Sequence, residues 1–149
     1  MTKNKVLIPL DETEFTLQIV PYVFRYLAPE ENELILLYLA DRSSESAADQ
    51  AQRRSPLIHE DRSEASVRAR FSQEIRPYTQ ALQRAGYAVS TQVDFRKPAL
   101  VMQHWTQKER IDLVALATGE EPDNGACQVL QQAHVPIMRF HDEGKTRQQ

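Results

Sequence analysis

The chain holds a single cysteine, Cys127, among its 149 residues. One thiol excludes an internal disulfide and any cysteine-based zinc cluster, and it fits a reducing compartment. No apolar run approaches the roughly 20 residues that a bilayer-spanning helix needs. Between Lys5 and Asp11 stand only about five apolar residues, too few for the core of a secretory signal. A cytoplasmic protein with no membrane partner is therefore expected. The formal net charge of -3 gives no general attraction to nucleic acid. Glycine, present four times, forms neither a phosphate-cradling Gly-Lys-Ser/Thr loop nor the GxGxxG dinucleotide fingerprint. There is no HExxH pair and no GxSxG nucleophile elbow. His59, His104, His134 and His141 are scattered without ligand spacing, so no metal site is expected. Cys127 has neither a nearby His nor a second Cys to activate it, and reads as a small packed residue. No catalytic constellation emerges.

What is present is a globular composition, with 41% apolar and 26% charged residues. Continuous apolar runs at 5–10, 34–40 and 111–117 read as strands buried on both faces, the pattern of a parallel sheet. Alternation at 88–95 and the apolar run at 135–140 add two more. Between them lie helical patterns. One begins near Asp11 and runs to Leu27, with Pro21 expected to kink it. A second runs from Ser63 to a stop at Gly86, with Pro77 expected to bend it. A third starts at Pro98 and ends near Glu109, and a short fourth spans about 124–133. Trp105 reads as core or interface packing. The order βαβαβαβαβ predicts one α/β domain over 1–141, a doubly wound parallel five-stranded sheet with helices on both faces. Residues 43–62, polar and without period, read as a flexible insert, and 142–149 as a polar tail.

In open parallel sheets, ligands sit beyond the carboxyl ends of the strands, where strand order reverses. The segments at 9–13, 39–43 and 118–125 are the ones that rule selects. Asp11 follows the first strand directly. Its carboxylate could accept from a ribose hydroxyl or help hold a metal, or it could simply cap the first helix.

Several segments, in order, resemble the universal stress protein family. Val6-Leu7-Ile8-Pro9-Leu10-Asp11-Glu12-Thr13-Glu14 resembles its first-strand VP-x-D-x-S-E, and Leu36-Leu37-Tyr38-Leu39-Ala40 its second-strand LLHV. Pro98-Ala99 followed by Ile111-Asp112-Leu113-Val114-Ala115-Leu116-Ala117-Thr118 is similar to its P-A and DLIVMG-S/T strand. Val129-Leu130-Gln131-Gln132-Ala133-His134-Val135-Pro136-Ile137 is similar to its closing VL-x-x-A-x-VPV. The resemblance implies a Rossmann-like fold of the adenine-nucleotide-hydrolase kind. It also implies an adenosine corner at Pro9, Asp11 and Leu39, with Thr118 and Gly119 at the entry of a phosphate loop of form G-x2-G-x9-G-[ST].

The rest of that loop departs from the family pattern. Pro122 stands where the second glycine belongs, the spacer is nearly absent, and Asp123 and Asn124 replace the final Gly-Ser. Glu120, Glu121 and Asp123 would face a polyphosphate, and like charges about 4 Å apart repel by roughly 1 kcal/mol even in water. Triphosphate binding is thus expected to be weak or lost. No cofactor is required, while AMP, ATP or another adenosine compound remains the ligand class. Three readings follow: a non-enzymatic regulatory protein, an ATP- or AMP-binding protein with a remodelled loop, and a module that docks a protein partner through 43–62. The resemblance also implies a homodimer joined through the last strand, at Val135, Pro136, Ile137, Met138 and Phe140.

Overall fold

The computed structural model describes residues 3–10, 19–40, 63–117, 129 and 131–140. Asp11, Thr118, Gly119, Pro122 and Cys127 lie outside these, as do the insert at 43–62 and the tail at 142–149. Five strands, β1 (Asn4–Leu10), β2 (Asn32–Leu39), β3 (Ala88–Asp94), β4 (Leu113–Ala117) and β5 (Ile137–Phe140), form one sheet. Its order is β3-β2-β1-β4-β5 and every neighbouring pair is parallel. The helices with described bounds are α1 (Ile19–Tyr26), α2 (Glu64–Arg84) and α3 (Pro98–Gln107).

Side-chain alternation along each strand divides the core in two. Val6, Ile8 and Leu10 of β1, with Leu34, Leu36 and Tyr38 of β2, pack under α1 and α2. Those helices contribute Val20, Val23, Phe71, Ile75 and Leu82. Leu7, Ile35, Leu37, Val114 and Leu116 face the other way, against Val101, Met102 and Trp105 of α3. This two-sided burial is why β1 and β2 read as unbroken apolar runs. The expectation of a doubly wound parallel sheet with helices on both faces is met.

Local chemistry sets the helix ends. Ser63 caps α2, its Oγ accepting from the Ser66 N–H at 3.2 Å. At the other end Gly86 takes φ +100°. The Tyr87 N–H reaches the Leu82 carbonyl and the Gly86 N–H reaches that of Gln83, each at 3.0 Å. This pair of bonds is a Schellman closure, which needs a residue at ease with positive φ. Pro77 lies on the exposed face of α2, which continues through it as one 21-residue helix. Pro21 falls in the first described turn of α1. Pro98 opens α3, where a missing N–H is harmless.

Three strand starts differ by two residues from the sequence reading. β2 starts at Asn32 rather than 34, because Asn32 and Glu33 pair in register with Asn4 and Lys5 despite their polarity. β4 starts at Leu113 rather than 111. Asp112 instead clamps β1: its N–H donates to the Lys5 carbonyl at 2.9 Å, and its Oδ2 accepts from the Lys5 N–H at 2.8 Å. β5 starts at Ile137 rather than 135, after a helical turn in which the Ala133 N–H bonds the Val129 carbonyl at 3.0 Å. Among the described residues no helix is long and apolar enough to cross a membrane.

Candidate functional site

The strand order reverses between β1 and β4, so the crevice for a ligand lies beyond their carboxyl ends. Here the hydrogen-bonded ladder between the two strands is short. Their register covers only Val6 with Leu113 and Leu7 with Val114, whereas β1 pairs with β2 as far as Leu10. β4 turns to its other neighbour and stays paired with β5 up to Ala117 and Phe140.

Proline explains the short ladder. Lys5 directs both its N–H and its carbonyl to Asp112, so by the two-residue period the odd residues of β1 face β4. Pro9 stands at the next odd position after Leu7 and has no N–H to offer. The rung that would have closed β1 onto β4 cannot form, while pairing to β2 through even residues is untouched. A proline inside a central strand is normally unfavourable; at this place it ends the β1–β4 ladder at the switch point.

β2 brings Leu39 to the same end. The Ala40 N–H donates to the Asp94 carbonyl at 2.8 Å, so even residues of β2 face β3 and odd ones face β1. The backbone of Leu39 therefore faces β1's side one position past Tyr38, the partner of Leu10. Its side chain packs, half-buried, against the α3-side core. Pro9, the partner of Leu37, and Leu39 thus lie toward the same end of adjoining strands. Leu10 and Ala117 are the last described residues of β1 and β4 at this end, and Asp11 and Thr118, which follow them in sequence, lie outside the described residues.

A neighbouring feature carries charge and escaped the sequence reading. At the end of β3, Arg96 grips Asp94, with Nη2 to Oδ2 at 2.6 Å and Nε to Oδ1 at 3.0 Å. Burial pushes the Asp94 carboxyl up, but the Arg96 hydrogen bonds and charge, with a smaller contribution from His104, hold it below its ordinary value. The Arg68 guanidinium sits 5.1 Å from the Phe95 ring centre. The Asp-x-Arg spacing after a strand was the available signal.

The remaining expected positions are spread out. His104 pairs with Glu109 at 3.5 Å and meets Trp105 edge-on, and His134 is exposed with φ 59°. Among the described residues no group of three His, Cys, Asp or Glu side chains could hold a metal. Val135 and Ile137 pack against the α3-side core, Met138 against the opposite core, and Pro136 is exposed, its carbonyl accepting from the Val114 N–H. Among the described residues β5 has β4 as its one neighbour in the sheet.

The model of the universal stress protein family matches residues 3–139. The chain belongs to that family. By sequence, no curated protein matches it significantly. Solved structures agree in fold at low identity. A universal stress family protein of Arabidopsis thaliana, solved with AMP bound, has TM-score 0.63 and 12% identity, covering 96% of this chain and 94% of its own. The universal stress protein UspA of Lactobacillus plantarum has TM-score 0.61 and 15% identity, with 95% and 98% covered. A universal stress protein in complex with cAMP has TM-score 0.59 and 11% identity, with 95% and 98% covered.

Proposed function

We propose that this universal stress protein is a non-enzymatic regulatory protein whose β1–β4 crevice takes an adenosine compound of low charge and discriminates against ATP. The observation that carries the reading is the reversal of strand order between β1 and β4, where Pro9 ends their ladder and β2 brings Leu39 to the same end of the sheet. In this reading the Asp11 carboxylate accepts from the ribose hydroxyls, the Leu39 backbone meets the adenine edge, and Thr118 and Gly119 begin the phosphate side. Relatives of the same fold solved with AMP and with cAMP support the ligand class. Discrimination follows from the loop: Pro122 removes a backbone donor, and Glu120, Glu121 and Asp123 oppose polyphosphate charge. The lone cysteine fits action in the cytoplasm. The test is a mass spectrum and absorbance ratio of the purified protein, followed by calorimetry on the wild type and Asp11→Ala. Micromolar ATP affinity that disappears in Asp11→Ala would overturn the discrimination against ATP and leave the ATP-binding alternative.

The second part of the proposal is a homodimer joined through β5. Among the described residues β5 is an edge strand, a place where a second chain can add to a sheet, and Ile137 and Met138 are half-buried rather than fully covered. Light scattering after size exclusion is expected to give twice the 17.2 kDa chain mass. Ile137→Asp is expected to give monomer. A wild-type monomer at about 100 μM, well above the affinities of stable dimers, would remove this part.

A further inference from the structure

A second opening lies at the far end of the sheet. From Leu39 back to Glu33 along β2 is six residues, roughly 20 Å at strand rise. There a half-open groove of about 300 Å³ runs between α3 and the amino-terminal parts of β1, β2 and β3. It exists because α3 covers β1 and β4 but leaves the edge strand β3 bare on this side, where Ala88, Ser90 and Gln92 are exposed.

The lining chemistry is mixed in a specific way. Lys5 and Glu33 are register partners on adjoining strands, so their backbones lie about 4.8 Å apart. Both side chains line the groove and both residues are half-buried, yet neither forms an ion pair among the described residues. Ile35 lies beside them on the same face, with the Trp105 indole as the opposite wall. Trp105 is only 5% exposed, and its ring N–H meets no acceptor among the described residues. A buried donor without a partner is costly and uncommon. Glu109, held to His104 at 3.5 Å, adds a second carboxylate at the rim.

We propose that this groove binds a small zwitterion of the α-amino acid class. Its carboxylate sits between the Lys5 ammonium and the Trp105 N–H, its ammonium on Glu33, and its apolar side chain along Ile35. Charge selects the class. A simple anion meets Glu33 and Glu109, a simple cation meets Lys5, and a neutral molecule leaves the adjoining opposite charges unanswered. The volume suits a molecule of that size and is too small for a folded partner.

Trp105 is the only tryptophan in the chain, so its emission reports on this groove directly. The full-length protein is first screened against the twenty protein amino acids by emission and by amide chemical shifts. L-leucine is the lead probe and N-acetyl-L-leucinamide, which lacks both charges, is its control. At least one free amino acid is expected to give a saturable change with a Kd at or below about 1 mM. The capped control is expected to give none, and saturating AMP is expected to leave the Kd unchanged. Lys5→Met and Glu33→Gln each remove a charged contact and are expected to raise the Kd by about tenfold or more. Circular dichroism confirms their fold, and if Lys5→Met fails to fold, Glu33→Gln alone decides. The proposal is overturned if no amino acid gives a saturable change up to about 10 mM. It is equally overturned if the capped control binds as well, or if the folded variants bind like wild type. AMP competition would assign the change to the crevice and also overturn it.

Discussion

Replacing Tyr87 by Phe isolates one hydroxyl that ties α1 to the start of β3. The ring is 4% exposed and stays packed edge-on against Phe24, with centroids 5.8 Å apart. Its hydroxyl donates to the carbonyls of Val23 and Leu27 at the end of α1. The Val23 carbonyl already accepts from the Leu27 N–H at 3.0 Å. The substitution therefore leaves essentially one buried carbonyl, that of Leu27, without its donor. Such a loss costs about 1–3 kcal/mol, and we expect a value near the middle, about 1.5 kcal/mol. For a chain of this size that corresponds to roughly 3–6 °C in Tm. Urea denaturation should move the midpoint with an unchanged slope, because no surface is newly exposed. The same residue supplies a pH signature. Burial and the charge of Glu30 raise the Tyr87 pKa above its ordinary 10.0. The sign follows: below pH 10 the phenol is neutral in both states and its contribution is intact. As pH rises through the raised folded value, the unfolded chain has already released the proton and that stability is lost. Tyr87→Phe should therefore lose less stability than wild type above about pH 10. A midpoint change below about 0.5 kcal/mol, or equal alkaline losses, would refute this account of the contact.

Gly86→Ala is expected to cost about 1–2 kcal/mol by urea denaturation, from the strained φ of +100° rather than from crowding. The nearest atom to the added Cβ, on Pro29, stands at an ordinary 3.7 Å. Asp112→Ala removes the acceptor of the Lys5 N–H at an exposed strand start and should cost about 1 kcal/mol. Hydrogen exchange is expected to locate that loss at the amino end of β1.

The strands were legible because a parallel sheet buried on both faces writes continuous apolar runs, as in β1 and the core of β2. Gly86 and Ser63 were legible because few residues suit those cap geometries. The strand starts were misread where polar residues do backbone work. Asn32 is buried and donates its amide to the Ala28 carbonyl at 2.9 Å, and Asp112 acts through a clamp 107 residues away. Composition cannot reveal either contact. Pro9 was legible as part of a resemblance, but its effect on the β1–β4 ladder depends on strand order, which is a long-range property. The groove beside Trp105 was invisible for the same reason, being assembled from residues far apart in sequence, whereas the Asp94–Arg96 pair is local and its Asp-x-Arg spacing was there to be read.

The most direct test of the proposed function is calorimetry of AMP and ATP against one preparation of the full chain at a fixed salt concentration. AMP is expected to bind measurably, and ATP at least about tenfold more weakly, the equivalent of roughly 1.4 kcal/mol of charge repulsion at the acidic loop. ATP binding as tight as AMP, or tighter, would contradict the account.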